Sequence, residues 1–227
     1  MGERQPGNDQ RVSRVAAQRL SLYLRCLTGW STESGKVSSG RIAAAVGVTD
    51  AQVRRDLASL GHLGQRGIGY EARALSAAIR VALGIDRTWD AVLVGVGNLA
   101  RALLRYQGFR SQGFRIVGLF DADQTKVGQQ VEGLMVDGMD QLGKRVEALG
   151  AEIGIVTVPG DVAQAVAESL ATGGVRGILN FAPVVLRLPP HVSLVTVDLA
   201  IQLEQLAFLV QHGDGISRPP EEEEPFA

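Results

Sequence analysis

Two groups of residues have types and spacings suited to chemistry. The first is Gly95-Val96-Gly97-Asn98-Leu99-Ala100, which directly follows the apolar run Val92-Leu93-Val94 and opens a helical pattern. In that context a G-x-G-x-x-G/A segment binds a dinucleotide. The first glycine permits the tight turn, the second lets backbone approach a pyrophosphate, and the last position must be small for helix–strand packing. Phosphates held this way sit at a helix N-terminus, where free N–H groups and the helix dipole favour anions. Asp121 closes the next apolar run, Phe114–Phe120. A carboxylate there accepts hydrogen bonds from an adenosine ribose and repels a 2′-phosphate, so the motif and Asp121 together predict NADH/NAD+ in preference to the NADP forms.

The second group lies in SGRIAAAVGVTDAQVRRDLASLG, residues 39–61. Ala43, Gly47 and Val53 fit a helix-turn-helix: a small residue where the helices cross, a left-handed turn, and a β-branched core contact. Asp50, Gln52, Arg54 and Arg55 on the second helix are donors and acceptors that reach base edges and phosphates. Arg66, flanked by glycines in a predicted hairpin, suits a wing that touches phosphate or the minor groove, or else is a solvated loop arginine. Double-stranded DNA is the partner this pattern implies.

Catalytic groups are harder to find. A dehydrogenase needs an acid or base beside the nicotinamide, most often His, Lys or Tyr. The three histidines, His62, His191 and His212, fall in a loop, beside Pro190 and near the C-terminus, none of them at a strand end suited to hydride transfer. His, Cys and carboxylate residues share no metal-ligand spacing. The one cysteine, Cys26, sits in the apolar pattern SLYLRCL and reads as a packed thiol.

The elements that must position these groups follow from patterning. A length of 227 residues suits one medium and one small domain. Residues 1–73 carry 11 Lys/Arg against 6 Asp/Glu, and residues 74–227 carry 12 against 18, so a basic module joins an acidic body. No apolar run is long enough to span a bilayer and MGERQPGNDQRVSR lacks a secretory core, which predicts a cytoplasmic protein without a membrane partner. Residues 11–27 predict an amphipathic helix, 29–40 a loop, 62–70 a hairpin, and 72–83 a helix. From Trp89 to Asp198 strands alternate with helices, as in a parallel sheet covered by helices. An apolar helix, 199–210, precedes a Pro- and Glu-rich segment expected to be disordered. The expected architecture is α/β: a winged helix-turn-helix domain over 1–84, a Rossmann-type domain over 85–198, a dimerisation helix over 199–212 and an acidic tail over 213–227.

AAQRLSLYLRCL, VTDAQVRRDLASLGHLGQRGIGY, LVGVGNLARALLRYQGF, GLFDAD, IVTVP and GILNFAPV together resemble the Rex family of redox-sensing repressors over nearly the whole chain. The resemblance implies a homodimer in which the C-terminal helix is exchanged between subunits. It also implies repression from a palindromic operator when NADH is scarce, and release when NADH binds. Thr157, Val158 and Pro159 in IVTVP join Gly95–Ala100 and Asp121 as cofactor contacts, and Tyr106 and Phe181 match aromatics near the nicotinamide. Arg25, Tyr106 and Asp198 match positions whose polar contacts switch between the DNA-bound and NADH-bound forms. Arg55 stands where the family more often has lysine, LASLGHLGQ replaces a more aromatic stretch, and Ala100 replaces a third glycine. An NAD-dependent oxidoreductase with a regulatory DNA-binding domain, and a DNA-binding sensor of coenzyme A, are the competing expectations.

Overall fold

The computed structural model describes residues 12–30, 35–61, 63–65 and 68–213. His62, Arg66 at the expected wing tip and the expected tail from Asp214 onward lie outside the described residues. The chain divides into two compact units, Met1–Thr88 and Trp89–Ala227. The division falls four residues later than patterning placed it, because Leu83 and Ile85 pack against the core of the first unit.

The first unit contains α1 (Arg14–Trp30), β1 (Lys36–Val37), α2 (Ser39–Val46), α3 (Asp50–Ala58), β2 (Gly64–Gln65), β3 (Gly69–Glu71) and α4 (Ala72–Ala82). α1 buries the stripe Leu20, Tyr23, Leu24 and Leu27 at helical spacing. The Ser38 side chain caps α2 by accepting from the Arg41 N–H. α2 ends at Gly47 in the left-handed conformation, and Thr49 caps α3 by accepting from the Gln52 N–H. Ile42, Ala43, Val53 and Leu57 meet in the core between these helices. The expected loop over 29–40 contains β1, whose Lys36 and Val37 pair antiparallel with Glu71 and Tyr70. Two residues are too few to show strand alternation; the pairing partners lie 35 and 33 residues further along the chain. β2 pairs with β3 on the other side, completing the three-stranded sheet β1-β3-β2 of a winged helix.

The second unit holds strands β4 (Trp89–Val94), β5 (Phe114–Asp121), β6 (Gln130–Val131), β7 (Leu134–Gly138), β8 (Ile153–Val156), β9 (Gly177–Asn180) and β10 (Ser193–Thr196). They form one sheet in the order β10-β9-β8-β4-β5-β7-β6, parallel except for the antiparallel edge strand β6. Setting β6 aside, this is the 3-2-1-4-5-6 order of a Rossmann sheet. Its helices are α5 (Asn98–Arg105), α6 (Gln107–Ser111), α7 (Leu142–Leu149), α8 (Gly160–Thr172) and α9 (Leu199–His212). Along β4, Val92 and Val94 face a cluster with Leu142, Val146, Ala163 and Leu170, while Ala91 and Leu93 face one with Val96, Ala100 and Val136. Both faces of the strand are therefore covered, as a parallel sheet requires. The helical pattern that opens after the glycine turn breaks at Tyr106, whose backbone is extended between α5 and α6. No residue of α9 is buried.

The β4–α5 turn passes hard against the β8–α8 turn. Gly95 has φ +94°, and a Cβ there would lie 2.7 Å from the Thr157 carbonyl oxygen. Gly95→Ala therefore combines left-handed strain with a clash against backbone. It should cost about 2–4 kcal/mol of stability, read as a lowered midpoint in urea unfolding. A wild-type midpoint would show that the turn relaxes freely.

Candidate functional site

In this sheet the strand order reverses between β4 and β8, and the crevice outside the carboxyl ends of such strands is where doubly wound sheets bind ligands. The Gly95 N–H donates to the Phe120 carbonyl (2.8 Å), drawing the turn over the end of β5. At Gly97, the N-cap of α5, a Cβ would meet no protein atom within 4 Å, and no side chain caps the helix. The first-turn N–H groups of α5 thus have no side-chain partner at their open end, the arrangement an anion requires. The Thr157 hydroxyl bonds the carbonyls of Val94 (3.0 Å) and Gly95 (2.8 Å), lacing the two turns together. Val158 packs beside Gly95, and Pro159 precedes α8. Phe181 follows β9, half-buried against the cluster that includes Val96 and Ala100. Its turn is held by buried Asn180, which accepts from the Ala182 N–H and donates to the Ala182 and Val184 carbonyls. Gly95–Ala100, Asp121, Thr157–Pro159 and Phe181 accordingly converge on the carboxyl ends of β4, β5, β8 and β9.

Asp121 is buried and heavily bonded. One oxygen accepts from the Val96 N–H (2.7 Å) and the Lys126 ammonium (3.0 Å), the other from the Asp123 N–H (2.9 Å). Burial pushes its pKa up, but the Asp123 N–H, Lys126 and the Val96 N–H outweigh that and hold the carboxyl below its ordinary value. It stays an ionised acceptor across the neutral range.

The structure does not bring Tyr106 into this crevice within one chain. Tyr106 stands at the far end of α5, edge-on to Phe109 with ring centroids 5.2 Å apart. There it lines an open cavity of about 790 Å³ together with Phe114 and Ile116 at the start of β5. Asp198 caps α9, accepting from the Ala200 (2.9 Å) and Ile201 (3.3 Å) N–H groups, and Arg25 is exposed on α1.

On α3, Arg54 and Arg55 are exposed, and Arg54 pairs with Asp50 one turn earlier at 2.5 Å. Gln52 is half-buried, and its Nε2 donates to Asp56 (2.8 Å). Asp56 is a residue that sequence reasoning missed. It is 6% exposed and also accepts two bonds from Arg19 (2.7 Å each) and one from the Tyr23 hydroxyl (2.8 Å). All four acceptor positions of the carboxylate are thus filled, and they tie α3 to α1. The available signal was position: three residues after Val53, Asp56 falls on the buried side of the helix, where a carboxylate must find partners. Burial opposes its ionisation, yet Arg19, Tyr23 and Gln52 hold the pKa below the ordinary value. Burial, then the bond to Asp56, pushes the Tyr23 hydroxyl up to about 12.

A winged helix joined in one chain to a Rossmann unit with a dinucleotide-type turn defines a transcription regulator answering to a nucleotide. The chain is 48% identical to a redox-sensing transcriptional repressor Rex of Desulfitobacterium hafniense, across 85% of this chain and 92% of that one. A Rex of Carboxydothermus hydrogenoformans is 45% identical across 88% and 97%. The chain belongs to the Rex family of redox-sensing transcriptional repressors. Among solved structures it is similar to RSP in complex with β-NAD+ and operator DNA, at 30% identity and TM-score 0.83, covering 91% of this chain and 99% of that one. RSP in complex with β-NADH matches at 29% identity and TM-score 0.80, over 88% and 94%. Residues 11–58 match the family described as "Putative DNA-binding protein N-terminus", and residues 86–184 match the CoA binding domain family. The named relatives are repressors, which removes the oxidoreductase expectation.

The Asp56 cluster has a pH signature. A depressed carboxyl pKa contributes stability that is present above the ordinary value of 3.8 and lost as the pH falls below it. The raised Tyr23 pKa contributes stability present below 10 and lost as the pH rises towards 12. In a phenolate absorbance titration one of the three tyrosines should ionise late, and Tyr23→Phe should abolish that late step. A folded protein whose titration lacks any late step removable by Tyr23→Phe would dissolve the cluster as described.

Proposed function

We propose that this chain acts in the cytoplasm as a homodimeric repressor that binds palindromic operator DNA when NADH is scarce and leaves it when NADH occupies the Rossmann crevice. The observation carrying this reading is the similarity over 91% of the chain, both units included, to RSP, a protein seen with β-NAD+ and operator DNA. No helix among the described residues is long and apolar enough to cross a membrane.

In this reading α3 enters the major groove. Arg54 and Arg55 supply base and phosphate contacts, and Arg66 supplies a wing contact. Gln52, with one amide hydrogen committed to Asp56, keeps its oxygen and its second amide hydrogen for DNA. Gly95, Val96, Gly97, Asn98, Leu99 and Ala100 cradle the pyrophosphate, Asp121 takes the ribose, and Thr157, Val158, Pro159 and Phe181 line the path to the nicotinamide. Arg25, Tyr106 and Asp198 change polar partners between the two states. Dimerisation rests on α9, whose Leu199, Ile201, Leu203, Leu206, Phe208, Leu209 and Val210 are all exposed in the single chain. Each such side chain gains about 1.5–3 kcal/mol on full burial, which a partner subunit would supply.

The match to the CoA binding domain family favours a second reading, a coenzyme A sensor on the same sheet. Coenzyme A carries a ribose 3′-phosphate, and Asp121 opposes it. Stabilisation of the protein by NADH but not by equimolar coenzyme A in a thermal-shift comparison separates the two.

Arg54→Ala and Arg55→Ala should each weaken operator binding by about 1–3 kcal/mol where the residue reads a base, and leave NADH binding intact. Fluorescence anisotropy at fixed salt measures this, and wild-type affinity in both variants would exclude α3 as the reading helix. For the switch, NADH should release bound operator at concentrations where NAD+ releases little. Deletion of residues 199–227 should yield monomers that no longer bind paired half-sites. Equal release by the two nucleotides, or a truncated dimer with normal operator affinity, overturns the mechanism.

A further inference from the structure

We propose that Lys126 is a second determinant of nucleotide selection, holding the Asp121 carboxylate in place and setting how strongly the site rejects a phosphorylated ribose. The inference rests on the reading that Asp121 meets the adenosine ribose. Lys126 Nζ lies 3.0 Å from Asp121 Oδ2 and 3.8 Å from Asp123 Oδ2, and its side chain is 33% exposed against 10% for Asp121. The lysine returns to the end of β5 because its loop is fixed. The Lys126 N–H donates to the Asp123 carbonyl (2.9 Å), and the Thr125 hydroxyl and N–H both bond the Asp123 carboxylate (2.6 and 2.9 Å).

Counting lone pairs shows what remains for a ligand. A carboxylate offers about four acceptor positions, and at Asp121 three are taken by Val96, Asp123 and Lys126. One position is left, on Oδ1, enough for a single ribose hydroxyl. The neighbouring hydroxyl must find its partner elsewhere, and the Lys126 ammonium, more exposed than Asp121 and bound to the same carboxylate, is the adjacent donor.

Charge gives Lys126 its leverage on specificity. Asp121, Asp123 and Lys126 together carry a net charge of −1, and without the lysine the pair of aspartates carries −2. A ribose phosphate brings a further charge of about −1.5 to −2. Removing Lys126 therefore penalises NADPH far more than NADH, whose ribose is uncharged. Removing the charge of Asp121 does the opposite, because Lys126 then faces the phosphate with only Asp123 against it.

The test is calorimetric titration of the full-length protein at low salt with NADH and NADPH, for wild type, Lys126→Ala, Lys126→Gln and Asp121→Asn. The ratio of NADPH to NADH dissociation constants should rise about tenfold in both lysine variants and fall in Asp121→Asn. An unchanged ratio in the lysine variants, with NADH still bound by wild type, overturns the role of Lys126 alone. Equal losses of both nucleotides would make the lysine merely structural and also overturn it. If wild type fails to bind NADH, the reading of the crevice fails, and the inference with it.

Discussion

A carboxylate taken out of water must be met by donors, and each unit of this protein fastens its functional element through one. In the first unit Asp56 gathers Arg19, Tyr23 and Gln52, so that α3 cannot roll or slide against α1 without breaking a charge-assisted pair. In the second, Asp121 gathers the Val96 N–H, the Asp123 N–H and Lys126, which pins the glycine turn to the end of β5. Apolar packing would hold these elements with less directional precision, since the hydrophobic effect is non-directional. Removing one partner from such a cluster is costly because the others lose water and partner together. The cost restricts the geometries in which α3 and the β4–α5 turn can sit, and recognition of a groove or a pyrophosphate depends on that restriction.

Close approach is the second constraint. Gly95 and Thr157 lie within contact because β4 and β8 are neighbours in the sheet, and their connections leave in opposite directions. The order of strands thus creates the crevice, and the glycine is what lets backbone occupy its narrowest point. The Thr157 hydroxyl, bonded to two carbonyls of the β4 side, has its donor committed to the scaffold. Its contribution to a ligand is through shape and its remaining lone pairs.

What was legible in the sequence was local. The glycine turn, Asp121, the left-handed turn at Gly47 and the apolar stripe of α1 each follow from residue types within a few positions of one another. The two-residue strand β1 was not legible, because its only evidence is pairing with β3. Nor was the break at Tyr106, since the apolar spacing of Leu103 and Leu104 continues the helical pattern and the chain turns only where Gly108 admits the Tyr106 ring. Residues 124–152 gave no clear reading, and β6, β7 and α7 fill them. Asp56 and Lys126 were passed over for a shared reason. A charged residue on a helix or loop is by default solvated, and only the arrival of Arg19 and Tyr23 from a distant helix, or the return of a lysine towards its own strand, converts it into structure.

The division between binding and sensing follows from the ligand. NADH and NAD+ share the adenosine, both riboses and the pyrophosphate, so in the proposed function contacts from Gly95–Ala100, Asp121 and Lys126 would bind both forms alike and by themselves move no equilibrium. Any preference between them must arise where they differ, at a ring that is cationic and planar when oxidised, uncharged and puckered when reduced. An apolar wall disfavours the cation by withholding solvation, and Phe181 is the aromatic side chain at the carboxyl edge of the sheet that can form one. In the proposed function the crevice therefore has an affinity end and a sensing end, and only the second can drive the dimer from one state to the other. Under that proposal a substitution at Asp121 or Lys126 would change how much nucleotide is needed, whereas one at Phe181 would change whether the oxidation state matters.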